Sequence, residues 1–516
     1  MERSATAVGR RGRSRTPQQG HVVAGTASQL RRALPPIEPW PTGRVEAVHE
    51  AALRLLEDAG IEFLGAGARD RWRQAGAAVD PETMVVRIPR ELVADALAKA
   101  QNAYLLHARN PERTLQIGGD AVAFGLVSGP PTVQDAVRGR RPGNLADYRE
   151  LVRLAQCFPI VNYLGNQPVP PTELPAESRH LDACLANIVE GDKPWGCSAI
   201  GRERAQDSVE MAAIARGLTL DQALGAPGCS TVINANSPRR YDGPMGEGLM
   251  AMAELGHPVV VTPFTLMGAM APVSLTAALI QQHAEALAGL TLVQLTRAGS
   301  PMAYGAFTSN VDLKSGAPAF GTPENVKATL IAGQLARHVG LPYRASNASA
   351  SVALDAQAAY ESLFSLFAAV MGGANMVYHA VGWMEGGLVA SFEKIVLDCE
   401  LVQGIAEIVA GGEEEDVEQA LAQILETPAG GHFFGTETTM ARYQRAFYLP
   451  ILSDWRNFQQ WTAAGAPDAA ARATRIWQER LAGFEPPPLD PAILEALEAF
   501  VARRKAEIAR GIGRPA

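Results

Sequence analysis

From about residue 121 onward one pattern recurs eight times. A short apolar run of β-prone residues ends in Gly, Ser, Asn, Thr or Pro, and an Ala/Leu-rich stretch with helical spacing usually follows. The runs cover 122–128, 160–166, 194–200, 230–234, 259–262, 302–306, 343–347 and 375–379. Helices read clearly at 203–217, 244–255, 274–297, 323–339 and 356–372. The runs are apolar on both faces, as strands of a parallel sheet covered by helices must be. Eight such units closing on themselves predict an α/β chain built as a (β/α)8 TIM barrel over 121–400. An open doubly wound sheet fits less well, because no GxGxxG turn follows the first strand and a count of eight suits closure.

The flanks read differently. Residues 1–35 carry seven arginines against one acid, Glu2, and little apolar periodicity, which predicts a disordered basic tail. Residues 36–120 read as a helical N-terminal region, with helices near 44–56 and 90–101. Residues 401–516 read as a helical extension whose last helix, 491–509, packs on the barrel or on a second subunit of a homo-oligomer. A net charge of −8 argues against nucleic acid, which demands a basic face. No apolar run reaches the ~20 residues of a membrane span, and the N-terminus lacks the apolar core of a secretory signal. Five cysteines without CxxC spacing point to a reducing cytoplasm rather than a disulfide framework.

In a barrel, chemistry belongs at the carboxyl ends of the strands. The side chains there are mostly amides, hydroxyls and aromatics: Gln167 after the second run, Asn234 after the fourth, Phe264 after the fifth, Phe307 and Thr308 after the sixth, and Tyr378, His379, Trp383 and Glu385 at and after the eighth. Asp355 follows the seventh. No pair of histidines with an acid has metal-ligand spacing, no lysine sits at a strand end, and no GxSxG elbow occurs. Such a mouth suits a ligand that brings its own reactivity. Aromatic rings near a carboxylate suit a quaternary ammonium ion, which is drawn to ring quadrupoles and donates no hydrogen bond. Each residue also has a plainer reading: barrel packing for the rings, a core histidine for His379, a helix N-cap for Asp355, a loop acid for Glu385, and helix-surface acids for Asp398 and Glu400.

Several segments carry a resemblance. They are Asp355-Ala-Gln-Ala-Ala-Tyr-Glu361, Gly373-Ala-Asn-Met-Val-Tyr-His379, and Glu385-Gly-Gly followed by Ser391-Phe-Glu393 and Asp398. Gly129-Pro-Pro-Thr-Val-Gln-Asp135 with Asp147, Ala271-Pro-Val-Ser-Leu-Thr with Ala284-Glu285, and Trp461, Ala464-Gly465 and Pro487-Pro-Leu-Asp490 add to it. Together, over about 44–508, they resemble the trimethylamine methyltransferase family.

The resemblance implies a barrel that moves a methyl group from a methylated amine to the cobalt of a separate corrinoid protein. The methanogen members carry pyrrolysine in the barrel mouth. This chain shows only standard residues and so resembles the non-pyrrolysine branch, whose substrates are quaternary amines such as glycine betaine. On that reading Asp355, His379 and Glu385 orient or balance charge in catalysis. Trp383, Phe307 and Tyr378 face the cation, with Phe264 beside them. Gln167, Asn234 or Thr308 donate to the substrate carboxylate. No metal and no tightly bound cofactor is expected, since the Asp-x-His-x-x-Gly cobalamin signature is lacking; the cobalamin comes with the partner corrinoid protein. Two other classes remain: a folate-dependent methyltransferase or lyase on the same barrel, and a catalytically silent betaine-binding homologue.

Overall fold

The computed structural model describes residues 29–412 and 415–514. Seven of the eight apolar runs form strands: β1 (Ala121–Leu126), β2 (Trp195–Cys197), β3 (Cys229–Ile233), β4 (Val259–Val261), β5 (Met302–Gly305), β6 (Tyr343–Ser346) and β7 (Met376–Val381). Neighbours from β2 to β7 pair in parallel, and β7 returns to β1 with Met376 opposite Ala123. The run at 160–166 is reduced to single bridges, Gly125 with Tyr163 and Leu164 with Trp195, and these close the ring between β1 and β2. Its shortness has a local cause. The Asn162 side chain accepts from the Phe124 amide at 3.1 Å, taking a place that a backbone carbonyl fills in a ladder.

Eight helices wrap the ring in the order the repeat demands: Leu145–Gln156, Arg179–Glu190, Arg202–Ile214, Gly243–Glu254, Leu275–Thr296, Pro323–His338, Ala356–Met371 and Phe392–Val409. The last runs past the expected barrel boundary at 400 because Val402, Ile405, Ala406 and Val409 stay buried. Inside the ring, Ala123, Tyr163, Val260, Ala303, Met376 and Tyr378 pack as one apolar cluster. Its floor is a hairpin of Ala103–Leu106 with Leu115–Gly118, which inserts Tyr104, Leu106, Leu115 and Ile117. Burying each such side chain contributes roughly 1.5–3 kcal/mol, and the hairpin leaves only the carboxyl end of the barrel open.

The flanks depart from expectation in two places. Part of the anticipated basic tail, residues 1–28, lies outside the described residues, but Leu30–Arg31 is a short strand antiparallel to β1, with Leu30 buried and Arg31 paired with Asp120 at 2.6 Å. The 36–120 region holds three helices and also short strands. Ile61–Phe63 pairs with Val85–Arg87 and with Arg240–Tyr241, stitching the N-terminal region to the loop after β3. At the far end, helix Ala469–Ala482 lies on Phe392–Val409, and helix Pro491–Ala509 lies on Arg179–Glu190 and Arg202–Ile214. Arg504 is buried there against Asp207 at 2.8 Å.

Two small sheets raise the rim of the open end. Phe264–Met267 pairs with Phe307–Val311, and Thr132–Asp135 pairs with Gly139–Pro142 and Val389–Ser391. Among the described residues no helix is long and apolar enough to cross a membrane.

Candidate active site

The carboxyl ends of the strands enclose a cavity of about 420 Å³. Gln167, Asn234, Phe264, Phe307, Tyr378, His379 and Trp383 all line it. The other three nominated residues lie elsewhere. Thr308 is buried and shares a hydrogen bond with Thr265 at 2.6 Å. Asp355 caps helix Ala356–Met371, accepting from the Ala358 amide at 3.1 Å. Glu385 stands on the rim, ion-paired with Arg140 at 2.7 Å.

His379 reaches the cavity through a defect in β7. The ladder to β1 shifts register between Val377 and Val381, and His379 takes a left-handed φ of 52°, a conformation that non-glycine residues adopt at a cost. Its Nδ1 lies 3.2 Å from the Ser128 amide. A backbone N–H only donates, so Nδ1 accepts and the neutral ring carries its proton on Nε2. Burial, and then the nearby Arg344 guanidinium, hold the His379 pKa well below the usual imidazole value, so the ring is neutral.

Arg344 is the residue that sequence reasoning passed over. It sits in the middle of β6, is 3% exposed, and lines the cavity. Among the described residues no carboxylate pairs with it. Nη2 lies 3.3 Å from His379 Nε2, the guanidinium lies over the Tyr378 ring at 4.7 Å, and Nε and Nη1 have no hydrogen-bond partner. Burial pushes its pKa down to about 10, which still leaves it charged near neutrality. The one signal in the sequence was an arginine inside 343–347, a run that reads as a buried strand, where such a residue has to be either paired or functional.

Aromatic rings stand beside Arg344 and His379, with Phe307 5.9 Å from the Arg344 guanidinium. Phe307 stacks on Phe264 at 5.0 Å and on Trp383 at 5.5 Å, each pair 19° from parallel. Trp383 also meets His379 edge-on at 4.0 Å. Gly387 seats the indole, since a Cβ there would come within 2.6 Å of the ring; Gly382, just before Trp383, packs on Ile395, which a Cβ would approach to 2.7 Å. Both have positive φ, 94° and 98°. Arg344 covers Tyr378, Phe307 stacks on two neighbours, and Trp383 packs against Phe307, Phe320 and His379, so among the described residues Phe264, with one ring neighbour, is the ring least committed to protein. Buried polar atoms without partners gather here: Asn166 Oδ1, Thr262 Oγ1 and Trp383 Nε1 join the two Arg344 nitrogens around the cavity. Such groups call for a ligand or water.

The acids of the recurring motifs do a different job, tying down mouth loops. Glu361 accepts from Ser349 Oγ at 2.9 Å and from the Ala350 and Ser351 amides at 2.8 and 3.1 Å. Glu285 accepts from Ser237 Oγ and the Arg239 amide in the loop after β3. Glu393 accepts from the Ala136 amide at 3.0 Å and from Trp477 Nε1 at 2.8 Å. Asp398, anticipated on a helix surface, is fully buried against Lys394 and accepts from the Gly382 amide at 2.8 Å. Among the described residues no group of three His, Cys, Asp or Glu side chains is placed to hold a metal.

A closed parallel barrel with a polar and aromatic cavity at its carboxyl end defines a (β/α)8 enzyme with its site in the βα loops. Residues 7–509 match the family model "Trimethylamine methyltransferase", and the chain belongs to that family of methyltransferases. It is 35% identical to the glycine betaine methyltransferase of Desulfitobacterium hafniense, over 90% of this chain and 96% of that one. It is 27% identical to a trimethylamine methyltransferase of Methanosarcina mazei, over 90% and 94%. The fold is shared with the monomethylamine methyltransferase of Methanosarcina barkeri, at a TM-score of 0.51 and 11% identity over 87% of this chain and 89% of that chain.

Proposed function

We propose that this methyltransferase takes a methyl group from a quaternary amine resembling glycine betaine and passes it to the cobalt of a corrinoid carried by a separate protein. The observation that carries this reading is the cavity itself: an aromatic wall stands beside buried, unpartnered donors, in a chain 35% identical to a glycine betaine methyltransferase. The reduced cobalt of the partner supplies the nucleophile. The N–CH3 bond breaks, its electron pair stays on nitrogen, and a neutral tertiary amine leaves without needing a proton. That agrees with a cavity whose one imidazole is neutral and hydrogen-bonded to backbone. The chain's own contribution is to hold the ammonium against Trp383 and Phe264 and to exclude water. Incubated with glycine betaine and cob(I)alamin, the protein should form dimethylglycine, one per cobalt methylated. Demethylation of trimethylamine in preference to glycine betaine would overturn the reading.

The rim supports delivery of the corrinoid by a protein. Val137, Ile200, Val273, Leu313, Val352 and Leu388 are all exposed. They come from six different βα loops, so they share the open end of the barrel. Scattered apolar side chains are ordinary on a surface, but a ring of them around a cavity mouth marks a surface that another protein covers. Val273 and Leu313, 70% and 74% exposed, lie side by side over Gly268. The double variant Val273→Glu/Leu313→Glu is therefore expected to slow methyl transfer to the corrinoid protein about tenfold or more, since a few core apolar anchors dominate such interfaces. Transfer to free cob(I)alamin and glycine betaine affinity should not change. An unaltered rate with the corrinoid protein would place the docking surface elsewhere.

A further inference from the structure

We infer that Arg344 and His379 form a carboxylate subsite that restricts this enzyme to zwitterionic quaternary amines. The inference rests on the proposed function for the cation half of the ligand, and on the geometry alone for the anion half.

The geometry leaves the guanidinium incomplete. Among the described residues Arg344 has no acid beside it on β6, and its Nε and Nη1 find no acceptor. Nη2 faces His379 Nε2 at 3.3 Å. Because the Ser128 amide occupies Nδ1, that Nε2 carries a proton, so the two N–H groups face each other and neither accepts. A buried guanidinium with unpaired donors on both edges calls for an oxyanion, and a carboxylate takes either edge as a fork that includes Nη2. The Tyr378 ring, 4.7 Å from the guanidinium, is itself fixed by its hydroxyl, which donates to Tyr163 at 3.0 Å, and Tyr163 bonds Ser230 at 2.9 Å. The subsite is therefore rigid, and it is built from consecutive staves of the barrel, β6, β7 and β1.

The same charge explains selectivity. A buried, uncompensated cation repels a second cation in the same low-dielectric cavity. Choline or trimethylammonium brings only positive charge. Glycine betaine brings a carboxylate two bonds from its nitrogen, which neutralises Arg344 while the ammonium rests against the aromatic wall. The ligand is accepted for its anion and bare cations are rejected for lacking one. This assignment moves the carboxylate away from Asn234 and Gln167, which line the cavity on loops after other strands.

The test is calorimetric titration of the full-length protein with four probes: glycine betaine, choline, phosphocholine, and 3,3-dimethylbutanoate, the uncharged-carbon isostere of glycine betaine. Wild-type protein should bind glycine betaine at least tenfold more tightly than choline or phosphocholine, and should bind dimethylbutanoate measurably. Arg344→Gln should weaken glycine betaine and dimethylbutanoate thirtyfold or more and should bind choline as well as wild type or better. Arg344→Lys, which keeps the charge but loses the fork, should fall between. Choline bound as tightly as glycine betaine by wild type would overturn the subsite without recourse to any variant. So would wild-type affinity for dimethylbutanoate in Arg344→Gln. Tighter phosphocholine than glycine betaine would reassign the subsite to phosphate. Dimethylbutanoate has no transferable N-methyl group, so its dependence on Arg344 stands even if no quaternary amine is demethylated. The two readings therefore fail separately.

Discussion

Asp398→Ala is expected to remove about 3–5 kcal/mol of folding stability, as breaking a buried ion pair from one side does. Asp398 and Lys394 are both fully buried, one helical turn apart on Phe392–Val409. The lysine donates to Asp398 and to Ser362 Oγ, the latter at 2.6 Å. Burial pulls the lysine pKa down and pushes the aspartate pKa up, and each partner's charge opposes the other's shift. Without the aspartate, the ammonium must lose its proton or drag water into the barrel wall. The Gly382 amide also loses its acceptor, one residue before Trp383. Replacing both partners with apolar residues, Lys394→Met/Asp398→Leu, should recover most of the loss, leaving about 1–3 kcal/mol for the orphaned amide. Guanidinium unfolding curves of the three proteins measure this. A single variant within about 1 kcal/mol of wild type would mean the pair is hydrated and carries little.

That pair illustrates what a sequence displays and what it hides. The barrel was legible because a buried parallel strand announces itself by being apolar on both faces, and a helix after each strand leaves a second periodicity. The 160–166 stave was legible as a strand but not as a stunted one, since the Asn162 side chain displaces a ladder partner only in three dimensions. Seven of the ten nominated site residues share one cavity, because position after a barrel strand decides where a side chain can go. Acids were harder. Asp398 reads as a helix-surface acid, and Glu285, Glu361 and Glu393 carry no reading beyond the motifs they belong to; the structure buries all four as acceptors. Nothing in one dimension separates an acid that meets solvent from one that meets amides 2.8 Å away. Arg344 was hidden by the same logic reversed: the run 343–347 is apolar enough to be a strand, and the arginine was absorbed into it.

Trp383→Leu is expected to weaken glycine betaine binding about tenfold, within the range of ~0.5–2 kcal/mol for a well-placed ring over a cation. Leucine fills part of the space against Gly387, so the loop keeps some of the packing that alanine would abandon. What it cannot supply is a ring quadrupole. The indole is held by stacking on Phe307 at 5.5 Å and by the edge of His379 at 4.0 Å, so its position does not depend on ligand. A preorganised ring face acts on charge, and that gives the measurement its control. The isostere 3,3-dimethylbutanoate has the same shape and carboxylate as glycine betaine but no cation to attract. Its affinity should change less than threefold in Trp383→Leu, whereas that of glycine betaine falls tenfold. An equal loss for both ligands would mean that Trp383 shapes the cavity and does not recognise the ammonium, and the cation would then have to rest on Phe264 alone. The converse pattern is expected for Arg344→Gln, where both ligands suffer alike because both carry the carboxylate. Measured side by side, the two variants divide the cavity into a half that reads positive charge and a half that reads negative charge.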